Sequence, residues 1–173
     1  MKTYHIPIEL MSKPDQLPTP DHLTGLLKEG DNTEVEACLN RLDIADADTR
    51  KRALRAVRNE TADRPIALEG LATPFAAFLT DGDRAVRLTT AKLFVTLGEL
   101  KPEVVLPVVG TLADHLADDE EFYYVRARCA KALGYVALTI TDAVRTGSPP
   151  SWRLTLKPSS APAGGPLSVV EVG

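Results

Sequence analysis

At 173 residues the chain is long enough for one domain with a sizeable core. Apolar residues make up 44% and charged residues 25%, as in a globular protein, while aromatics are only 5%, so the core must rest on Leu, Val and Ala, a helix-forming palette. A formal net charge of −4 argues against non-specific wrapping of nucleic acid, which needs an excess of Lys and Arg, and no apolar run reaches the roughly 18 residues of a membrane span.

The opening "MKTYHIPIEL" lacks the apolar block of a signal peptide, which implies a cytoplasmic protein. Met1 and Met11 are alternative starts, so residues 1–18 are read as a dispensable, disordered leader in which "YHIPIEL" is a candidate strand. The repeat domain is expected over 19–145. It begins with a short capping helix, "TPDHLTGLLKEG" (19–30), with Pro20 in its first turn, Leu23, Leu26 and Leu27 on one face and Gly30 after its end.

Three helix pairs follow. Apolar first helices are expected at 32–43, 65–80 and 102–117. Pro65 and Pro102 sit where a first-turn proline is tolerated, whereas Pro74 and Pro107 predict kinks. Each first helix ends in an acidic turn ("DIADADTR", "LTDGDRAVR", "LADDEEFYYVR") that stops one helix and caps the next. The second helices are anchored on Arg50, Arg87 and Arg126, spaced 37 and 39 residues apart. Three residues after the anchors come Ala53, Thr90 and Cys129; four after, Leu54, Ala91 and Ala130; seven after, Val57, Phe94 and Leu133. Offsets of three, four and seven form one helical face, small or apolar in each copy, which predicts close helix packing. Cys38 and Cys129 fit no C-x-x-C spacing and read as buried small hydrophobes.

The second helix "VRARCAKALGYVAL" (125–138) and the stretch "PFAAFLTDGDRAVR" (74–87) resemble the HEAT repeat, with its Val-Arg after an acidic turn and its Ala-Leu-Gly run. The first copy departs from that pattern, with Thr49 in place of Val and no Gly after Val57. The resemblance covers about 32–140, with repeats at 32–60, 65–99 and 102–140. It implies an all-α fold: a short right-handed α-α superhelix of about three helix pairs, with second helices lining the concave side. It also implies that the anchors are structural, forming an Arg–acid ladder between repeats. Carried over, Arg50 would meet Asp46 or Asp48, Arg87 would meet Asp81 or Asp83, and Arg126 would meet Asp118 or Asp119.

Beyond residue 145 the chain turns rich in Gly, Pro and Ser, the composition of a linker or tail. "WRLTL" and "LSVVEV" are candidate strands within the tail 146–173, and Trp152 is either a packing residue there or an anchor for a partner.

Chemistry is hard to find. There is no glycine-rich phosphate loop, no G-x-S-x-G elbow and no H-E-x-x-H. His5, His22 and His115 are scattered, and Asp114-His115 near Asp118 and Asp119 reads as an exposed helix end rather than a metal site. No catalytic residue, metal site or cofactor is assigned. Among enzymes that resemble HEAT arrays, deoxyhypusine hydroxylase uses paired His-Glu motifs that this chain lacks. An accessory lyase-like role has no residue to carry it.

One surface feature stands out. Two and five residues after the anchors come Arg52, Thr89 and Arg128, then Arg55, Lys92 and Lys131, with Arg58 extending the row. These offsets lie away from the core face. The expected function is a non-catalytic scaffold that binds another protein, one with an acidic or extended segment, along this basic stripe. Binding of nucleic acid through the same cations is the alternative, and the bland explanation is that they solubilise the helices and form i, i+4 pairs.

Overall fold

A computed structural model describes residues 18–147 and contains helix, turn and irregular backbone, with no strand among the described residues. The leader to residue 17 and everything from 148 lie outside the described residues, and with them the expectations for "YHIPIEL", "WRLTL", "LSVVEV", Trp152 and the two starts. The described residues up to Thr139 belong to one compact unit. Ile140 opens a second, of which the described part carries an Arg145–Asp142 ion pair of 3.1 Å.

Helix α1 (Pro20–Glu29) starts where Thr19 Oγ1 accepts from the His22 N–H, with Pro20 in the first turn. It stops at Gly30, whose φ of 78° lets its N–H reach back to the Leu26 carbonyl. Asp31 then caps α2 (Asn32–Asp43) by accepting from the Glu34 N–H at 3.1 Å. Asp46 caps α3 (Ala47–Asp63) in the same way, accepting from the Thr49 N–H at 2.9 Å and its hydroxyl at 2.6 Å.

The stretch 65–80 is not one kinked helix. It is a 3₁₀ turn at Pro65–Leu68, a reversal at Gly70 with φ of 82°, α4 (Ala72–Ala76) and a second 3₁₀ turn at Ala77–Thr80. The left-handed Gly70 breaks the chain ahead of Pro74, whose missing N–H is harmless in a first turn. The apolar pattern survives: Leu68, Leu71, Phe75, Phe78 and Leu79 are all buried. Helix α5 (Arg84–Leu100) follows, capped by Asp83, which accepts from the Ala85 and Val86 N–H groups at 2.8 and 3.0 Å. Pro102–Val108 forms another 3₁₀ segment that contains Pro107, so α6 (Val109–Ala117) begins only beyond that ring. Helix α7 spans Tyr123–Thr146.

Helix α1 packs on α2 and α3, α3 on α5, α2 on α4, and α4 on the 102–108 segment. At Gly98 of α5 an added Cβ would lie 3.2 Å from the Ala132 carbonyl oxygen and 3.3 Å from Tyr135 Cβ, so glycine sets the closest approach of α5 and α7.

The core face follows the predicted register in α3 and α5, where Ala53, Leu54, Val57, Thr90, Ala91 and Phe94 are fully buried. In α7 it needs correcting. Cys129 is buried, but Ala130 is exposed and Leu133 only half-buried. The buried stripe is instead Val125, Cys129, Ala132 and Val136, rotated toward α5, because in α5 a helix must bury two sides and in α7 only one.

Cys38 and Cys129 are free and buried. Burial raises both thiol pKa values, Cys129 to about 11 with the Glu121 charge adding. Both should therefore resist a thiol reagent at neutral pH in the native protein. Two equivalents should react once denaturant is added, and a fast native reaction would show that the burial is wrong.

Candidate functional site

The arginines divide into two classes. The three anchors are all engaged. Arg50 Nε lies 2.7 Å from Asp81 Oδ2 and its Nη2 donates to Oδ1 at 3.1 Å. Its Nη1 donates to the carbonyls of Asp43 and Ala45 at the end of α2. Arg87 repeats the arrangement one pair later. Its Nε and Nη2 grip Glu121 at 2.9–3.1 Å, and its Nη1 donates to the Asp81 carbonyl at 2.8 Å. Arg126 donates to the Leu116 carbonyl at the end of α6 and pairs with Asp119 at 3.1 Å.

Each anchor thus holds the carbonyl end of the helix before it, where the helix dipole favours a cation. The acid for Arg50 and Arg87 comes from the next turn along the chain, not from their own, which corrects the expected partners. Asp46 and Asp83 are helix caps instead, Asp48 pairs with Lys51 at 2.6 Å, and Asp118 accepts from the Glu120 N–H at 2.9 Å. Glu121, missed in the sequence, is the most engaged acid. Its side chain is 4% exposed, and besides Arg87 it faces His115 Nδ1 at 3.2 Å and accepts from the Phe122 N–H at 2.7 Å. His115 is therefore tied to Glu121 and does not join Asp114, Asp118 and Asp119 in a cluster; no trio of ligating side chains suited to a metal ion occurs among the described residues.

The second class is the predicted stripe. Arg52, Arg55 and Lys131 are exposed, and Arg58, Lys92 and Arg128 are partly so. Among the described residues none of the six lies within ion-pair distance of a carboxylate. Arg52 donates to the Thr49 hydroxyl at 3.3 Å, and Lys131 stands 5.6 Å from the Tyr135 ring centroid. Thr89, which shares the register of Arg52 and Arg128, is buried at 6% exposure, so α5 adds Lys92 alone.

Two tyrosines join the row. On α7 the spacing Tyr124, Arg128, Lys131, Tyr135 follows one helical face, two cations flanked by a ring at each end. Tyr124 is 56% exposed and stands edge-on to Phe122 with ring centroids 5.3 Å apart. Phe122 in turn carries the Arg84 guanidinium 4.6 Å above its ring. The helical offset from Arg128 could have marked both tyrosines in the sequence.

A groove of 730 Å³ opens between α2 and the 72–80 segment, lined by Glu36, Asn40, Asp43, Thr73 and Thr80 among others and by no cationic side chain. No described helix is long and apolar enough to cross a membrane. No family model, curated protein or solved structure matches the chain.

Proposed function

We propose that the chain is a short right-handed HEAT-like array acting as a non-catalytic platform for an extended, acidic segment of another protein. In this reading the second helices line the inner wall and present Arg52, Arg55, Arg58, Lys92, Arg128 and Lys131. The observation that carries it is the division of the cations. Every anchor arginine has a carboxylate partner, and no stripe residue has one among the described residues. That weighs against i, i+4 ion pairing as the reason for the stripe, although Lys131 does stand over the Tyr135 ring four residues on. Solvated cations in a row steer an anion and give up little when they bind it, because no internal pair must first be broken. Tyr124 and Tyr135 supply rigid apolar surface on either side of Arg128 and Lys131, the residue type that anchors interfaces.

The test is binding of fluorescent Asp/Glu-rich peptides, with and without an aromatic residue, to the wild type and to Arg55→Glu/Lys131→Glu. The double variant should keep its melting temperature and bind about tenfold more weakly, mainly through a slower on-rate. Equal affinity and equal salt dependence in the two proteins would remove the stripe from the interface.

A second reading has one observation behind it. Rings beside cations, as Tyr124 and Tyr135 stand on either side of Arg128 and Lys131, also suit unpaired nucleic acid, whose bases stack while its phosphates pair. Single-stranded oligonucleotides distinguish the two. Binding that collapses steeply with salt for any sequence favours this reading, and no binding at low salt removes it.

A further inference from the structure

The groove between α2 and the 72–80 segment has two walls that are pinned together at both ends. At one end Asn32 Nδ2 donates to the Glu69 carbonyl at 3.4 Å, beside the left-handed Gly70. At the other Arg50 spans the walls, donating to the Asp43 carbonyl at 3.2 Å and to Asp81 Oδ1 at 3.1 Å. Between the pins the walls leave 730 Å³, within the range of about 300–1,000 Å³ that ligand pockets occupy. The width of the groove is set by the fold, so a ligand does not have to order it on binding.

The α2 wall carries Glu36, Asn40 and Asp43, all exposed. Thr73, Ala77 and Thr80 line the other wall and are exposed too, and the buried Leu39 and Phe78 add apolar surface. Among the described residues neither Glu36 nor Asp43 lies within ion-pair distance of a cationic side chain. Two uncompensated carboxylates in a cleft with apolar surface concentrate a negative potential there. Seven residues of helix set them about 10 Å apart along the axis. That is too far to close on one metal ion, whose oxygen ligands lie at about 2–3 Å. It suits two cations carried on one chain.

We propose that this groove binds a short basic segment of another protein, held as a polyproline II helix with Lys or Arg at positions i and i+3. That helix turns once in three residues and rises about 3.1 Å per residue, so such side chains share one side about 9 Å apart. The spacing matches that of the two carboxylates. A β-strand repeats a side only at about 6–7 Å or about 13 Å and fits less well. A polyproline II backbone makes no hydrogen bonds of its own. Asn40, between the two acids, offers it both an amide donor and an acceptor. The proposal does not rest on the basic stripe: it uses other helices and the opposite charge.

The test is fluorescence anisotropy of the full chain with a labelled peptide of the pattern Lys-Pro-Pro-Lys, beside one in which both Lys are Glu. The basic peptide should bind with a Kd of about 10–100 µM, and the acidic one should not enter the groove. High salt should weaken the binding, because both acids are exposed. Glu36→Gln/Asp43→Asn should weaken it about tenfold. Ala77→Lys, which sets a cation on the exposed opposite wall, should abolish it, and both variants should keep the helical signal. Arg55→Glu should not weaken it, which separates this groove from the stripe. Amide NMR shifts caused by the peptide should centre on Asn40, Thr73 and Ala77. No binding at about 1 mM peptide, equal affinity in the double variant, or shifts centred elsewhere overturns the proposal. So does spermidine that binds as tightly as the peptide, since it has no backbone for Asn40 to read. A mass above 18.7 kDa that Ala77→Lys returns to the monomer also overturns it, because a second copy would then fill the groove.

Discussion

Ala132→Asp is expected to abolish the cooperative unfolding transition, while Leu133→Asp, one residue on, leaves it in place. Ala132 has no exposed surface and its backbone sits against Gly98. A carboxylate there would be buried against the α5 backbone, and its extra atoms must push α5 away. Together these cost about 5 kcal/mol, the low end of the whole stability of a domain. Leu133 is half-buried, so its Asp can turn to solvent, and the loss should be about 1–2 kcal/mol. Urea denaturation followed by circular dichroism separates the two. If Leu133→Asp unfolds the chain and Ala132→Asp does not, the face assigned to α7 is wrong.

Removing Glu121 should be the most damaging loss of a single charge. Glu121→Ala leaves Arg87, only 20% exposed, without its carboxylate, and takes away the acceptor for the Phe122 N–H. Breaking a well-buried pair costs about 3–5 kcal/mol, and the partial exposure of Arg87 reduces this to about 2–3 kcal/mol, or about 8 °C in melting temperature. Asp48→Ala, whose acid is largely exposed beside Lys51, should cost well under about 1 kcal/mol.

Glu121 also sets the direction of the acid response. Burial pushes its carboxyl pKa up, but the Arg87 hydrogen bonds, the Phe122 N–H and His115 outweigh that and hold it below the ordinary 4.5. A carboxyl depressed in the folded state contributes stability that is complete above its unfolded pKa. That stability is lost as pH falls through the folded value. The caps Asp46 and Asp83 lie below their ordinary 3.8 through hydrogen bonds to helix N-termini and act in the same sense. Stability should therefore be level down to about pH 4.5 and decline below it. Glu121→Gln should flatten the first part of that decline. An unchanged acid slope in Glu121→Gln would show that the Arg87 rung contributes nothing to it.

Much of the local architecture was legible because its causes are local. Thr19, Asp31, Asp46 and Asp83 each cap a helix through groups two or three residues away. The apolar spacing of α3 and α5 placed their core faces correctly, since each is packed along the face that the spacing describes. The stretch 65–80 departs from the expected kinked helix because the backbone turns left-handed at Gly70, ahead of Pro74. Ala130 and Thr89 depart from expectation for a shared reason: a small residue at a given helical offset reads alike whether or not a neighbour covers it. Ala130 has none and Thr89 is buried.

By itself, then, the sequence determined the helical class, the starts of the second helices and the row of cations, because spacing and capping act within a turn or two of chain. Only the tertiary structure decided which acid each anchor arginine holds, since Asp81 is 31 residues from Arg50 and Glu121 is 34 from Arg87. It alone decided that the stripe cations have no carboxylate partner among the described residues and that Ala130 and Gly134 of α7 are exposed. These outcomes depend on how one hairpin is offset against the next, and no short-range preference encodes that offset.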